Sequence, residues 1–398
     1  MGKQLQSNIW KYALMSIANK RVFVAILGAY YLTIPDVTPQ IIGLILLAGN
    51  AAGFFLEIPS GFVADKIGHA RTLVMARVLM LCSTGFFLFS NSISLLVLGS
   101  VFLSASTAFH SGTGSAFIHE TLRGLKRTHE YTKVMGKISA IGFAVPVIFA
   151  TLAPFLITMS YKAPFVLGFI VDMVGLLAAL SLARPPVPEE HVEEIRATNF
   201  KAVMREGYAL SYFSVALFSG ILGGILMGIG GFREAYYVFL GIPVIWYGIF
   251  FGIGRVFVSL MLAYSGAIKK KFSLTSFYRF QLILFTLLLL IVGVTDTWWV
   301  IIAVFITINA FQWGLLQVDE GFRLDIIKSS TFKATLLSVS AQINQAVAAV
   351  SGLALGFLSE RLSYQYGFLY LGIIFLAVLF PLYLYIAHRY KKGAYGAL

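Results

Sequence analysis

The sequence predicts an all-α polytopic membrane protein, with twelve transmembrane helices arranged as two six-helix bundles. Three observations predict it. First, 59% of the residues are hydrophobic and only 12% are charged, with a mean hydropathy of +0.85. A soluble domain carries about 25% charged residues. This chain lacks the polar groups to cover a water-facing surface, so its solvent is lipid. Second, the apolar residues come in long runs, and a helix needs about 20 of them to cross a hydrocarbon core about 30 Å thick. Third, Pro, Gly and clustered charges separate the runs.

In chain order the spans fall near 9–33, 39–63, 72–91, 94–118, 134–158 and 163–183, then 208–236, 243–265, 274–294, 297–318, 334–359 and 364–387. Only helices satisfy every backbone group over runs this long in lipid. The first span is defined by length. Val22–Ile34 alone would reach only about 20 Å at 1.5 Å per residue, so the helix is expected to begin near Ile9. That places Lys20 and Arg21 inside the membrane. The charged stretch 184–206 divides the chain into a bundle at 1–183, a cytoplasmic linker, and a bundle at 207–398.

The net charge of +13 does not point to nucleic acid, because the cations lie in short clusters between apolar runs. Loop Lys and Arg concentrate on one side, Arg323 and Lys269 among them, while the other side holds only Lys162, Arg233 and Arg361. This asymmetry predicts a cell (inner) membrane protein with both termini cytoplasmic. Cys82 stands alone, so no intrachain disulfide forms. No stretch near the start reads as a cleavable signal peptide, and the first span is expected to direct insertion. No metal-ligand cluster, nucleophile–base pair or G-x-x-x-x-G-K-[ST] loop occurs, so an enzyme, a metal site, a cofactor and direct drive by ATP are not expected.

The halves echo each other. A shift of about 200 residues lays "GFVADKIGHARTLVMAR" (Gly61–Arg77) over "AYSGAIKKKFSLTSFYR" (Ala263–Arg279). Each joins the second and third helix of its half, an arrangement used by transporters.

"GFVADKIGHARTL" resembles the loop signature G-x-L-A-D-[RK]-x-G-[RK]-[RK]-x-x-L of the major facilitator superfamily. Gly61, Ala64, Asp65, Lys66, Gly68 and Leu73 match; His69 and Ala70 replace two cations, and Arg71 supplies one a position later. "LEIPSGFVAD", containing Glu57, "SGTGSAFIHETL", containing Glu120, and "FKATLLS" resemble segments of its drug-exporter-like branch. The resemblance implies that fold and a secondary transporter working by alternating access. It also implies a conformational latch built from the loop motif. There Gly61 and Gly68 would allow close helix approach and a tight turn, and Asp65 would pair with an arginine, Arg77 being the candidate.

Ionisable groups at membrane depth are functional candidates by default. They are Lys20, Arg21, His110, Asp172, Glu234 and Arg255, with Gln312, Trp313 and Gln317 as polar and aromatic companions. The resemblance puts spans 1, 4, 7 and 10 on the substrate path. One of Lys20 and Arg21 is expected to anchor the first bundle by pairing with Asp172, and the other to attract a negative substrate group. Glu234, Asp172 and His110 are the proton-carrier candidates, and Glu234 either pairs with Arg233 at the outer surface or titrates. The expected partners are a small-molecule substrate, protons and the lipid bilayer, and the expected state is a monomer. The function expected is proton-coupled movement of a small organic, anionic or amphiphilic solute, with efflux favoured. The helix-5 stretch keeps Gly142 and Pro146 apart, and the first span lacks an acid. Both departures weaken the expectation of antiport and favour an anionic substrate, exported or taken up, so that an uptake permease for an organic anion is the alternative. A non-transporting membrane receptor or scaffold is the other class.

Overall fold

A computed structural model describes residues 2–19, 21–111, 113–185, 200–327, 333–393 and 395. The side chains of Asp65, Thr132, Phe143, 200–203 and 333–335 are outside that description. Lys20, the Asp65 carboxylate and residues 186–199 of the expected linker therefore lie outside the described residues.

The first half forms α1 (Gly2–Ala18), α2 (Leu27–Tyr31), α3 (Pro39–Ile67), α4 (His69–Leu88), α5 (Ile93–His110), α6 (Thr113–Gly124), α7 (Tyr131–Leu152) and α8 (Ala163–Leu180). The second forms α9 (Phe200–Ala209), α10 (Tyr212–Gly230), α11 (Arg233–Phe239), α12 (Tyr247–Ala263), α13 (Ser265–Lys271), α14 (Leu274–Val294), α15 (Trp298–Gly314), α16 (Leu316–Ile326), α17 (Lys333–Arg361) and α18 (Tyr364–Lys391). No strand occurs among the described residues. Eleven stretches there are long and apolar enough to cross a membrane.

The expected twelfth, the first span at 9–33, is not continuous. It stops at Ala18 and resumes at Leu27. Two causes are visible in its residues: a polar Asn19 beside the charged pair, and the β-branched Val22, Val24 and Ile26, which helices hold less well. Spans 4, 7 and 10 are also divided, between His110 and Thr113, between Gly230 and Arg233, and at Leu315.

The chain separates into two compact units. The first comprises Met1–Val37, Ala48–Ala197 and Pro243–Gly252, and the second Thr38–Leu47, Thr198–Ile242 and Ile253–Leu398. The opening turns of α3 thus pack within the second unit, and residues 243–252 within the first.

Each unit uses the same pairings. In the first, α1 lies on α7 and α4 on α8; in the second, α10 lies on α17 and α14 on α18. Glycines set the α10–α17 approach. A Cβ on Gly224 would lie 2.7 Å from the Asn344 carbonyl, and one on Gly228 would lie 2.9 Å from the Gly352 amide. Lipid gives helices little hydrophobic reason to associate, so this close packing supplies the attraction.

A second echo lies just after the divided helices. "AYY" recurs as Ala29-Tyr30-Tyr31 in α2 and Ala235-Tyr236-Tyr237 in α11. All four tyrosines are buried. Tyr30 packs 4.2 Å from Phe165 of α8, and Tyr236 packs 4.8 Å from Tyr364 of α18. Tyr30 donates to the Phe87 carbonyl at 2.7 Å. The Tyr236 hydroxyl has no hydrogen-bond partner among the described residues.

Candidate functional site

The loop motif is built on a turn that only glycine enters easily. Gly68, between α3 and α4, has φ +91° and ψ 145°. His69 follows, and its Nδ1 lies 3.0 Å from Glu120 Oε2 on α6. The second unit repeats the arrangement: Lys269 of α13 donates to Asp325 of α16 at 2.7 Å. In both units, then, the segment before the third span is tied to the exit of the fourth. His69 supplies the tie where the superfamily pattern has a cation. Lys66 and Arg71 are exposed, and Ala64 is buried.

Two expectations about this motif are corrected. Gly61 makes no close helix approach, since a Cβ there would meet nothing within 4 Å among the described residues. Glu57, which the resemblance would place with the latch, meets span 4 instead of a loop residue. It accepts from Ser111 at 3.2 Å, where span 4 is divided.

Arg77 turns into the first unit, where its side chain is wholly buried. It donates to Asn19 Oδ1 and lies close enough to Asp172 and Tyr12 to act on both electrostatically. Asp172 of α8 accepts from Thr84 at 2.5 Å and feels both Arg77 and Arg21. Of the charged pair of span 1, Arg21 acts on Asp172 electrostatically, and Lys20 lies outside the described residues. Arg77 also acts on Asp172, and Asn19 beyond the end of α1 joins the network through Arg77. Gly175 makes room for it, because a Cβ there would meet Ala18 Cβ at 2.5 Å and Arg77 Cδ at 3.5 Å.

Beside this network lies a cavity of about 180 Å³, lined by Tyr12, Ser16, Asn19, His110, Met135, Ile138, Ser139 and Gly142. His110 stacks on Tyr12 with the planes 3° apart and the centroids 6.0 Å apart.

In the second unit, Arg233 and Glu234 pair directly at the start of α11. The pair is buried: its side chains are 14% and 4% exposed. The expected pairing of Glu234 with Arg233 is present, and the pair is buried within the second unit. Arg255 of α12 is close enough to Arg233 to interact with it electrostatically, and its guanidinium lies 5.3 Å over the Trp313 ring.

Trp313 also lines the larger cavity, about 310 Å³, together with Gln281, Gln312, Asn344, Gln345 and other residues of α10 and α14–α17. At its wall Arg323 Nε lies 3.0 Å from Asp319, which also accepts from Ser219 at 2.8 Å. Ser219 meets the Tyr278 hydroxyl at 3.0 Å. Asp319 escaped the sequence reading, and Arg323 was read as a loop cation. Both side chains are only 11% exposed. Gln317 is exposed and is not part of this cavity.

Eleven apolar stretches long enough to cross a membrane, with charges buried among them, describe a polytopic membrane protein. The chain matches the Major Facilitator Superfamily over residues 11–318 and belongs to that superfamily; it is a transporter and not an enzyme. The fold is similar to that of a point mutant of the nucleoside transporter NupG, with a TM-score of 0.75 and 13% identity over 96% of this chain and 99% of that one. It is similar as well to a bacterial homologue of the human lysosomal transporter Spinster, with a TM-score of 0.74 and 14% identity over 100% of this chain and 98% of that one. No curated protein sequence matches the chain.

Proposed function

We propose that this transporter moves a small organic solute carrying a negative or amphiphilic group, by alternating access and in exchange for protons, with export the direction favoured. The observation that carries the reading is the group around Arg255. A guanidinium over an indole face, beside a second arginine already matched by a carboxylate, offers one cation and one apolar face at the same place. That combination suits an amphiphilic anion. Burying the charges without a purpose would cost several kcal/mol per ion.

Glu234 is the carboxylate best placed to couple solute to proton. Asp172 and His110 are the alternatives in the first unit. The loop motif, with Asp65, serves as the conformational latch, and the termini face the cytoplasm on the strength of the Lys and Arg asymmetry.

The test is Glu234→Gln in proteoliposomes. Accumulation driven by a pH gradient should be lost while exchange of labelled for unlabelled solute persists. Accumulation with unchanged pH dependence would remove Glu234 from the coupling path.

A further inference from the structure

The larger cavity holds more hydrogen-bonding capacity than an anion would use. Four primary amides line it, from three separate helices: Gln281 on α14, Gln312 on α15, and Asn344 and Gln345 on α17. The Gln345 Oε1 is buried without a hydrogen-bond partner among the described residues. Gln281 is 6% exposed. Buried amides are normally satisfied within the protein. Four that converge on one space, one with a buried unpartnered oxygen, are suited to a ligand.

The charges at the wall are already occupied with each other, as the Asp319–Arg323 contact of 3.0 Å and the Ser219 bond show. What the cavity offers a ligand is therefore neutral. Each amide presents a donor and an acceptor in one plane, the arrangement that reads adjacent N–H and C=O or ring nitrogen on a flat edge. Trp313 adds a planar face, which favours stacking by a ring. Gly223 makes this possible locally, because a Cβ there would collide with Asn344 Nδ2 and push the amide aside. The volume of about 310 Å³ is at the small end of ligand pockets, roughly 300–1,000 Å³.

We propose that this cavity is a ring-recognition subsite for a neutral planar heterocycle whose rim carries adjacent hydrogen-bond donors and acceptors, an edge of the nucleobase type. This deepens the transport reading, on which it rests only for the claim that the bound ring is part of the solute carried. A negative substituent on that ring would extend past Trp313 toward Arg255.

Binding to the purified full-length protein in detergent tests the subsite apart from transport. The probes are adenine and uracil as neutral planar rings, glucose as a polar non-planar solute, and benzoate as a planar anion without a donor. Calorimetry should show at least one of the two heterocycles binding more tightly than glucose and benzoate. Gln345→Leu and Gln312→Leu should each weaken that ring about tenfold, the loss of one or two hydrogen bonds. Gly223→Ala should weaken it by displacing Asn344, and Trp313→Phe should remove the accompanying change in tryptophan fluorescence. Should Gln345→Leu fail to fold, Gly223→Ala and Gln312→Glu carry the same comparison. Glucose binding as tightly as the heterocycles, absence of heterocycle binding, or unchanged affinity in the amide variants would overturn the proposal. A ring that binds but is never carried in proteoliposomes leaves the subsite standing and removes that ring from the transport reading. Transport of an anion without ring binding does the reverse.

Discussion

Thr84 donates to Asp172 over 2.5 Å, joining α4 to α8 in the middle of the first unit. The bond leaves the other carboxylate oxygen to the field of Arg77 and Arg21. Arg77 is fully buried and has Asn19 as its hydrogen-bond acceptor among the described residues. Asp172 is therefore the counter-charge that makes burial of Arg77 tolerable.

Asp172→Ala should take an acidic field away from a buried cation and leave the Thr84 hydroxyl unpaired, at a cost of about 1–3 kcal/mol. Heating followed by fluorescence-detected size exclusion should show a much lower melting point. Arg77→Met added to it should restore part of the loss. A melting point unchanged in Asp172→Ala would show that the pair is idle.

The two motif glycines should separate cleanly. Gly68→Ala forces a side chain onto φ +91° and should cost of order 1–3 kcal/mol. Gly61→Ala meets open space and should melt within about 0.5 kcal/mol of wild type, as surface changes do. The same melting assay reads both, and equal losses would contradict the assigned roles.

The repeated tyrosines should also differ. Tyr30→Phe gives up the bond to the Phe87 carbonyl, which keeps the Ser90 amide at 3.2 Å, and should cost about 0.5–1.5 kcal/mol. Tyr236→Phe removes a buried hydroxyl with no hydrogen-bond partner among the described residues, so it should be neutral or stabilising. A thermal shift that ranks the two the other way would show that Tyr236 has a role outside the described packing.

Most of the helix order was legible in the sequence because lipid imposes so simple a rule: apolar runs of sufficient length, with breaks between them. The divisions inside spans 1, 4, 7 and 10 were not legible. Asn19, Lys20 and Arg21 read equally well as a helix end or as a polar group at depth. That Arg77 of α4 reaches Asp172 depends on helix register, which is a property of packing. Asp319 and Arg323 were missed because "VDEGFRLD" looks like a solvated exit. Only Ser219, 100 positions from Asp319 in the chain, and Tyr278 beyond it make this a buried network. The paired "AYY" segments were a signal available in the sequence, and they would have shown that spans 1 and 7 share a division.

The central claim is that a proton gradient drives a small organic solute through this chain. Its most direct test is flux into proteoliposomes holding the purified protein, with a pH gradient imposed and with it collapsed by an ionophore. Proton exchange predicts that an acid interior accumulates an amphiphilic organic anion above the external level, and that the ionophore abolishes the accumulation. Flux no greater than in protein-free liposomes, or the same with and without the gradient, would contradict the account.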